Sequence, residues 1–327
     1  MSESSRKAAT TAGGRRGVGV QATMWTVLCA VAAACGPEGG VQFLSIGTAG
    51  TGGVYYPLGG AIASRLSVAD PSRQYTAEVS GGSVENVNRL QSGQMDLAIV
   101  MSLSAYQAQN GEGDFPNAVA GLRAVAPLYP NLTHILVPED SRVRSVAEFG
   151  GLRVSVGTAG SGTEQLSREL LAAHDLTYED IQPRYLSFSE SAAALADGAI
   201  DAAIFSVGYP AAAVLEAATM RGIRLLPVAG EVMARMAREH PYYTADEIPA
   251  GAYPGVAEAV PIPAVENWIV AMESLDAEVV TSLLNVFRDD RVALEQVHEM
   301  ARQIDLERLA DPPIPLHPAA ADWFAQR

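Results

Sequence analysis

A strand-like run from Val41 to Ile46 leads into Gly47-Thr48-Ala49-Gly50-Thr51-Gly52-Gly53, and a helical pattern opens near Pro57. The design returns as a run from Leu152 to Val156, then Gly157-Thr158-Ala159-Gly160-Ser161-Gly162-Thr163, then another helical pattern. A glycine-rich turn between strand and helix presents bare backbone N–H groups at a helix N-terminus, where an anionic or polar ligand can meet them. A second echo follows in the same order. Leu90-Gln91-Ser92-Gly93-Gln94-Met95-Asp96-Leu97-Ala98-Ile99 and Leu195-Ala196-Asp197-Gly198-Ala199-Ile200-Asp201-Ala202-Ala203-Ile204 each read as a helix end, a glycine turn, an aspartate and a buried strand. Two echoes in one order predict two similar lobes with one small ligand held between the glycine loops.

The chain between these landmarks alternates strands with helices. Leu58, Ile62 and Leu66 recur at four-residue spacing behind Pro57, a residue suited to a first helical turn. Tyr75 to Val79 reads as a strand, and Ser83 as the N-cap of a helix carrying Asn86 three residues on. Leu97 to Val100 is a buried strand with Met101-Ser102-Leu103-Ser104 at its carboxyl end, where ligands sit in open α/β sheets. Leu122 to Pro127 and His134 to Val137 read as two strands, with Pro130-Asn131 as a crossover between lobes. In the second lobe Leu166 and Leu170 mark a helix's inner face. Tyr185 to Phe188 reads as a strand, with Ser189 capping the next helix. Ala202 to Phe205 is a strand running into Ser206-Val207-Gly208-Tyr209-Pro210. His240 to Pro263 reads as an ordered loop and Trp268 to Met272 as a second crossover strand. A helix with Val279, Val280, Leu283, Leu284 and Phe287 on one face follows, then a helix from Asp290 to Ile304, and Pro312 to Pro315 ends the regular structure. The alternation predicts an α/β fold. A chain that leaves one lobe and returns to it predicts a hinge and an interlobe ligand cleft, with lobe I at 36–130 plus 268–327 and lobe II at 131–267.

The 327 residues, 48% apolar and 18% charged, suffice for two ordinary domains or one large one and argue against bulk disorder. The net charge is −15, and Arg6, Lys7, Arg15 and Arg16 leave the chain beyond residue 35 more acidic still. Such a surface repels nucleic acid and anionic membranes, but it does not bar an anionic ligand, which local donors would hold. Lys7 is the only lysine, so Schiff-base chemistry and a phosphate-loop lysine are absent downstream. Cys29 and Cys35 are the only cysteines, and neither they nor the scattered His134, His174, His240, His298 and His317 have metal-ligand spacing. No metal or cofactor is expected. The glycine loops match neither the dinucleotide fingerprint, whose third glycine falls on Tyr55, nor a phosphate loop.

Residues 1–23 are polar and net basic, Met24 to Ala34 are apolar, and small residues follow. This is the layout of a secretory signal peptide at 1–35, too short in its apolar run to span a bilayer. Ala32-Ala33-Ala34-Cys35 resembles a lipobox with alanine in place of its usual leucine. Two outcomes stay open: lipidation of Cys35, or plain cleavage after an Ala-x-Ala site. Gly36 to Gly40 reads as a short tether.

Eight stretches together resemble the TAXI family of solute receptors of tripartite ATP-independent periplasmic (TRAP) transporters. They are Gly47 to Pro57, Gly81 to Gln91, Asp96-Leu97-Ala98-Ile99, Leu128-Tyr129-Pro130, Val154 to Thr163, Tyr185 to Glu190, Ile248 to Gly255 and Ile314-Pro315-Leu316-His317-Pro318. They run in order along essentially the whole mature chain. The resemblance implies a type II periplasmic binding protein fold, a monomeric receptor, a small organic anion such as a glutamate-like amino acid or a dicarboxylate, and delivery to an integral membrane permease. Carried over residue by residue, it implies a pocket of Gly50, Thr51, Gly52 and Tyr55 from the first loop and Ser83 and Asn86 from the next. Ser102 joins from the end of its strand, and Ser161, Gly162, Thr163 and Tyr209 from the second lobe. Met101, Leu103 and the Ser206-to-Pro210 segment depart from the family pattern and imply a less polar wall.

Other readings of the same residues are blander or belong to other classes. The glycine loops can be tight turns that pack helices on strands, Ser83 and Asn86 can serve a helix terminus alone, and Asp96 and Asp201 can fix turns. A ligand-sensing protein for a signalling partner shares the cleft. A hydrolase using Ser161 shares the scaffold, although Gly160-Ser161-Gly162 is not the nucleophile-elbow pattern.

Overall fold

The computed structural model describes residues 41–326. The signal-peptide and Cys35 readings and the tether to Gly40 lie outside the described residues.

Hydrophobic alternation and short turns build one mixed sheet of ten strands, from which two strands off the main path branch. In the first half, β1 (Gln42–Gly47) runs parallel to β2 (Arg73–Glu78) and to β3 (Leu97–Met101). The crossovers are α1 (Tyr55–Ala69) and α2 (Ser83–Gln91), and α3 (Ser102–Asn110) follows β3 directly. The second half repeats this with β5 (Arg153–Ser155) parallel to β6 (Gln182–Arg184) and to β7 (Ala202–Val207), and with α4 (Gly162–Ala172) and α5 (Phe188–Ala196) as crossovers. The aspartate echo has the same job in both halves. The Asp96 carboxylate accepts from the Ser45 amide at 2.7 Å, and that of Asp201 from the Arg153 amide at 2.9 Å, each pinning a neighbouring strand.

The halves are joined by two long strands, β4 (Leu122–Pro138) and β10 (Val260–Met272), antiparallel to each other. β4 pairs with β10 from Leu122 to Leu132, then with β7 from Leu132 and with β8 (Ile223–Leu225) from Leu136. The sequence reading splits β4 at Pro130-Asn131, whereas the strand is continuous. A register shift opposite it, between Glu266 and Trp268, absorbs the proline interruptions. Likewise 240–263 is no loop throughout: β9 (Tyr243–Ile248) pairs with β10, which already starts at Val260 despite Pro261 and Pro263.

The remaining helices pack on these frames: α6 (Ala212–Met220), α7 (Gly230–Glu239), α8 (Ala277–Asp289), the short α9 (Arg291–Glu295) and α10 (Pro318–Ala325). On α1, Leu58, Ile62 and Leu66 are fully buried, as are Val279, Val280, Leu283 and Leu284 on α8, so the four-residue spacing reports core faces. The expected helix to Ile304 breaks after α9 into a 3-10 turn at Glu299–Gln303. Regular structure resumes after the proline run, where Leu316 bridges to Ala124 and His317 caps α10.

Candidate functional site

A cavity of about 420 Å³ opens at the carboxyl ends of the parallel strands, where the loops entering α1, α2, α4 and α5 converge. Both glycine loops border it, through Ala49 to Val54 and through Thr158 and Ser161 to Thr163. Yet the loops do not pair with each other as the echo suggests. The loop before α2 meets the loop before α4: the Glu85 amide donates to the Gly160 carbonyl at 3.1 Å, and Thr158 Oγ1 donates to the Gly81 carbonyl at 2.9 Å. The first glycine loop instead meets the helices after β6 and β7. The Ala213 amide donates to the Gly52 carbonyl at 3.2 Å, and the Phe188 ring lies on Gly53. The pairing is crossed, strand-one loop with strand-two loop, in both directions.

Glycine is required where these segments touch. A Cβ on Gly162 would stand 2.6 Å from Met101 Sδ and 3.0 Å from Ser83 Oγ, and one on Gly52 would stand 2.6 Å from Ser189 Oγ. Gly82, at φ +118°, adds a backbone conformation that L side chains avoid and lies against Ser161. The glycines allow close approach, as the bland reading has it, and they do so at the border of the cavity.

The helix N-termini leave donors free. Among the described residues the amides of Ser83 and Val84 in α2 and of Gly162 and Thr163 in α4 have no acceptor. Ser161 caps α4, its Oγ accepting from the Glu164 amide at 3.1 Å, which leaves its own hydrogen to donate outward. Ser83 Oγ accepts from the Met101 amide at 3.1 Å and also bonds the Tyr55 hydroxyl, so it ties α2 to the end of β3 and to α1 and is not the N-cap, a position Gly82 holds. The cap of α5 is Ser187 and not Ser189, through a capping box with Glu190. Four oriented amides with two hydroxyls, those of Ser161 and Thr163, make a neutral donor set for an oxyanion.

Of the residues expected at the pocket, Gly50, Thr51, Gly52, Tyr55, Ser83, Ser161, Gly162 and Thr163 line the cavity, and three do not. Asn86 is fully buried, and its side chain is consumed: Nδ2 donates to the carbonyls of Thr48 and Ile99, and Oδ1 accepts from Ser80 Oγ. Ser102 starts α3 and donates to the Glu266 carbonyl at 2.9 Å. Tyr209 packs half-buried against the core. Tyr55 contributes its ring, since its hydroxyl donates to Asn267 Oδ1 and burial raises its pKa.

Sequence reasoning missed Asn131, Ser206, Leu186 and Phe188 as lining residues. Asn131 and Ser206 come together through tertiary pairing alone, Asn131 Nδ2 donating to the Ser206 carbonyl at 3.0 Å while its Oδ1 accepts from Asn267. These two amides sit where β4 and β10 pass between the halves. The wall also holds Val54, Val79, Met101 and Val207; among the described residues Glu190 is its one charged side chain, and no arginine or histidine borders it. The apolar wall implied by Met101 is present. Leu103 is fully buried in the core instead.

Arg123 pairs with Glu273, away from the lining. No helix of the described residues is long and apolar enough to cross a membrane.

Similarities to known proteins agree with this architecture. PhnD1 from Prochlorococcus marinus (MIT 9301), solved in complex with methylphosphonate, superposes with a TM-score of 0.54 at 12% identity, over 87% of this chain and 96% of that chain. A protein from Bordetella bronchiseptica RB50 gives 0.51 at 17% identity, over 83% and 78%. The fold is that of the type II periplasmic binding proteins, two-lobed α/β. A curated relative, a putative aliphatic sulfonates-binding protein of Escherichia coli (strain K12), is 35% identical over 102 residues, which are 31% of this chain and 30% of that protein's length. The profile of the NMT1-like family matches residues 46–326, nearly the whole described structure, and the chain belongs to that family.

Proposed function

We propose that this protein is an extracytoplasmic solute receptor that closes on a small organic anion and hands it to a membrane transporter. The reading is carried by the cavity itself: unpartnered amides of α2 and α4 and the hydroxyls of Ser161 and Thr163 converge on one space between the two halves. Hydrogen bonds to a charged group contribute about 1.5–3 kcal/mol each, so a handful of neutral donors can hold an anion without a cationic side chain. Lobe I at 36–130 plus 268–327 and lobe II at 131–267 would move about β4 and β10 and complete the donor set on closure. The resemblance to TAXI receptors favours a TRAP permease as partner and a glutamate-like amino acid or dicarboxylate as ligand. The sulfonate-binding relative favours an anion with an aliphatic body. The basic, then apolar, leader favours residence outside the cytoplasmic membrane.

A thermal-shift panel of carboxylates, amino acids and sulfonates tests the proposal. A ligand at a hundred times its Kd stabilises by about 2.7 kcal/mol, which corresponds to a rise of roughly 5 °C or more in a domain of this size. A panel with no stabilising anion would remove the receptor reading.

A further inference from the structure

Resting on that receptor reading, we infer that Ser206 is a ligand-binding residue whose hydroxyl donates to an oxygen of the anion's head, and that the Met101 thioether is the weak acceptor which that oxygen displaces. Ser206 lies on β7, buried at the border of the cavity. Its backbone is fixed: it pairs with Thr133 of β4, and its carbonyl accepts from Asn131 Nδ2 at 3.0 Å. Its hydroxyl is poorly matched. Among the described residues the one hydrogen bond of Ser206 Oγ goes to Met101 Sδ, at 3.7 Å. Thr133, directly opposite in the ladder, offers no alternative, for its own hydroxyl is buried without a partner. A thioether sulfur accepts weakly, so this bond returns little of what burying a hydroxyl costs.

The sulfur also sits where the other donors of the site meet. A Cβ on Gly162, whose amide is free, would stand 2.6 Å from Met101 Sδ. The sulfur therefore touches both the first residue of α4 and the Ser206 hydroxyl. The Met101 amide is held by Ser83 Oγ at 3.1 Å, so the backbone stays in place while the unbranched side chain can turn. A carboxylate or sulfonate oxygen that meets the α4 amides then comes within reach of Ser206. The exchange replaces a bond to a neutral sulfur by one to a charged oxygen, which is the stronger kind. Ser206 adds a third hydroxyl to those of Ser161 and Thr163, and it brings that donor on a strand rather than on a loop, which holds its direction.

The experiment is calorimetric titration of protein freed of bound ligand by unfolding and refolding, with pentanoate, butane-1-sulfonate, glutarate and L-glutamate. The tightest of these on wild type is the probe for the variants. Ser206→Ala is expected to weaken that probe about tenfold or more, the loss of one hydrogen bond to a charged group. Met101→Leu keeps the volume and removes the sulfur, and it is expected to bind the probe at least as tightly as wild type. In the Met101→Leu background Ser206→Ala is expected to cost the same again, which a serine acting only to hold Met101 in place would not show. Unfolding temperatures without the probe establish that each variant folds. A smaller loss for Ser206→Ala in either background, or a loss for Met101→Leu equal to that of Ser206→Ala, overturns this inference and leaves the receptor reading intact. Binding of none of the four by wild type overturns both.

Discussion

His134 has all of its ring commitments inside the protein. Nδ1–H donates to the Leu132 carbonyl at 2.9 Å, and Nε2 accepts from the Tyr253 hydroxyl at 2.9 Å. Tyr253 in turn accepts from the Ala211 amide. Burial lowers the imidazole pKa from 6.5 to about 4, because a proton on Nε2 would be a charge in a dry site with a donor opposite it. The unfolded chain takes up a proton near the ordinary value and the folded chain does so only lower. Stability from this group is therefore complete above about pH 6.5 and falls as the pH drops toward 4. The loss is about 2–3 kcal/mol between pH 7.5 and 4.5, at roughly 1.4 kcal/mol per pKa unit. His134→Gln keeps a polar side chain and removes the titration. Denaturant midpoints should show the variant less stable than wild type at pH 7.5, and the gap should close at pH 4.5. Equal acid sensitivity of the two proteins would assign the loss to other groups.

At the scale of elements, the glycines at the bridges separate folding from closure. Gly162 opens α4, where alanine is the better helix former by up to about 1 kcal/mol. Its added Cβ would collide with Met101 Sδ and crowd Ser83 and Ser104 across the interface. Overpacking of that kind costs about 1–3 kcal/mol. Gly162→Ala should thus keep or raise the unfolding temperature of the ligand-free protein while weakening its tightest anion about tenfold, by calorimetry. Gly60→Ala, with nothing within 4 Å of the new Cβ, should leave binding unchanged. The same elements explain what was readable in the chain. Strand, glycine loop and helix follow each other in sequence, so both copies were legible. The repeated aspartates were legible too, but not that each pins a neighbouring strand, through the distant Ser45 and Arg153 amides. Which loop would face which was not legible, since the crossed pairing depends on how the two halves are set by β4 and β10. Asn86 looked like a pocket residue because its position matches one. Its burial beneath Ser80 is decided by Ile99 and Thr48, both distant in sequence. Asn131 carried a chain-path signal and no side-chain signal, and Pro261 and Pro263 masked a strand whose neighbours tolerate them.

For the whole molecule, the question is what holds the halves together besides a guest. A second polar row runs from α3 to α4, apart from the residues that line the cavity. Ser104 Oγ donates to Gln165 Oε1, Gln165 Nε2 donates to Gln107 Oε1 at 2.8 Å, and Gln107 Nε2 donates to Glu169 Oε1 at 2.8 Å. Tyr242 and Tyr243 hydroxyls also donate to Glu169, so the row reaches the start of β9. α3 follows β3 and α4 follows β5, so every link up to Glu169 joins one half to the other. Gln165 and Ser104 are buried, and separation of the halves would return both to water, so the row favours closure by a modest net sum over its bonds. Gln165→Ala removes two of these bonds while leaving the face of α4 that carries Leu166 and Leu170 in place. At about 0.5–1.5 kcal/mol per bond, closure should lose roughly 1–3 kcal/mol, a five- to hundredfold drop in anion affinity. Small-angle scattering of the ligand-free variant should give a larger radius of gyration than wild type, and saturating ligand should restore the wild-type value. A ligand-free radius identical to wild type, together with unaltered affinity, would mean that the α3–α4 row forms only as a consequence of closure and does nothing to set it.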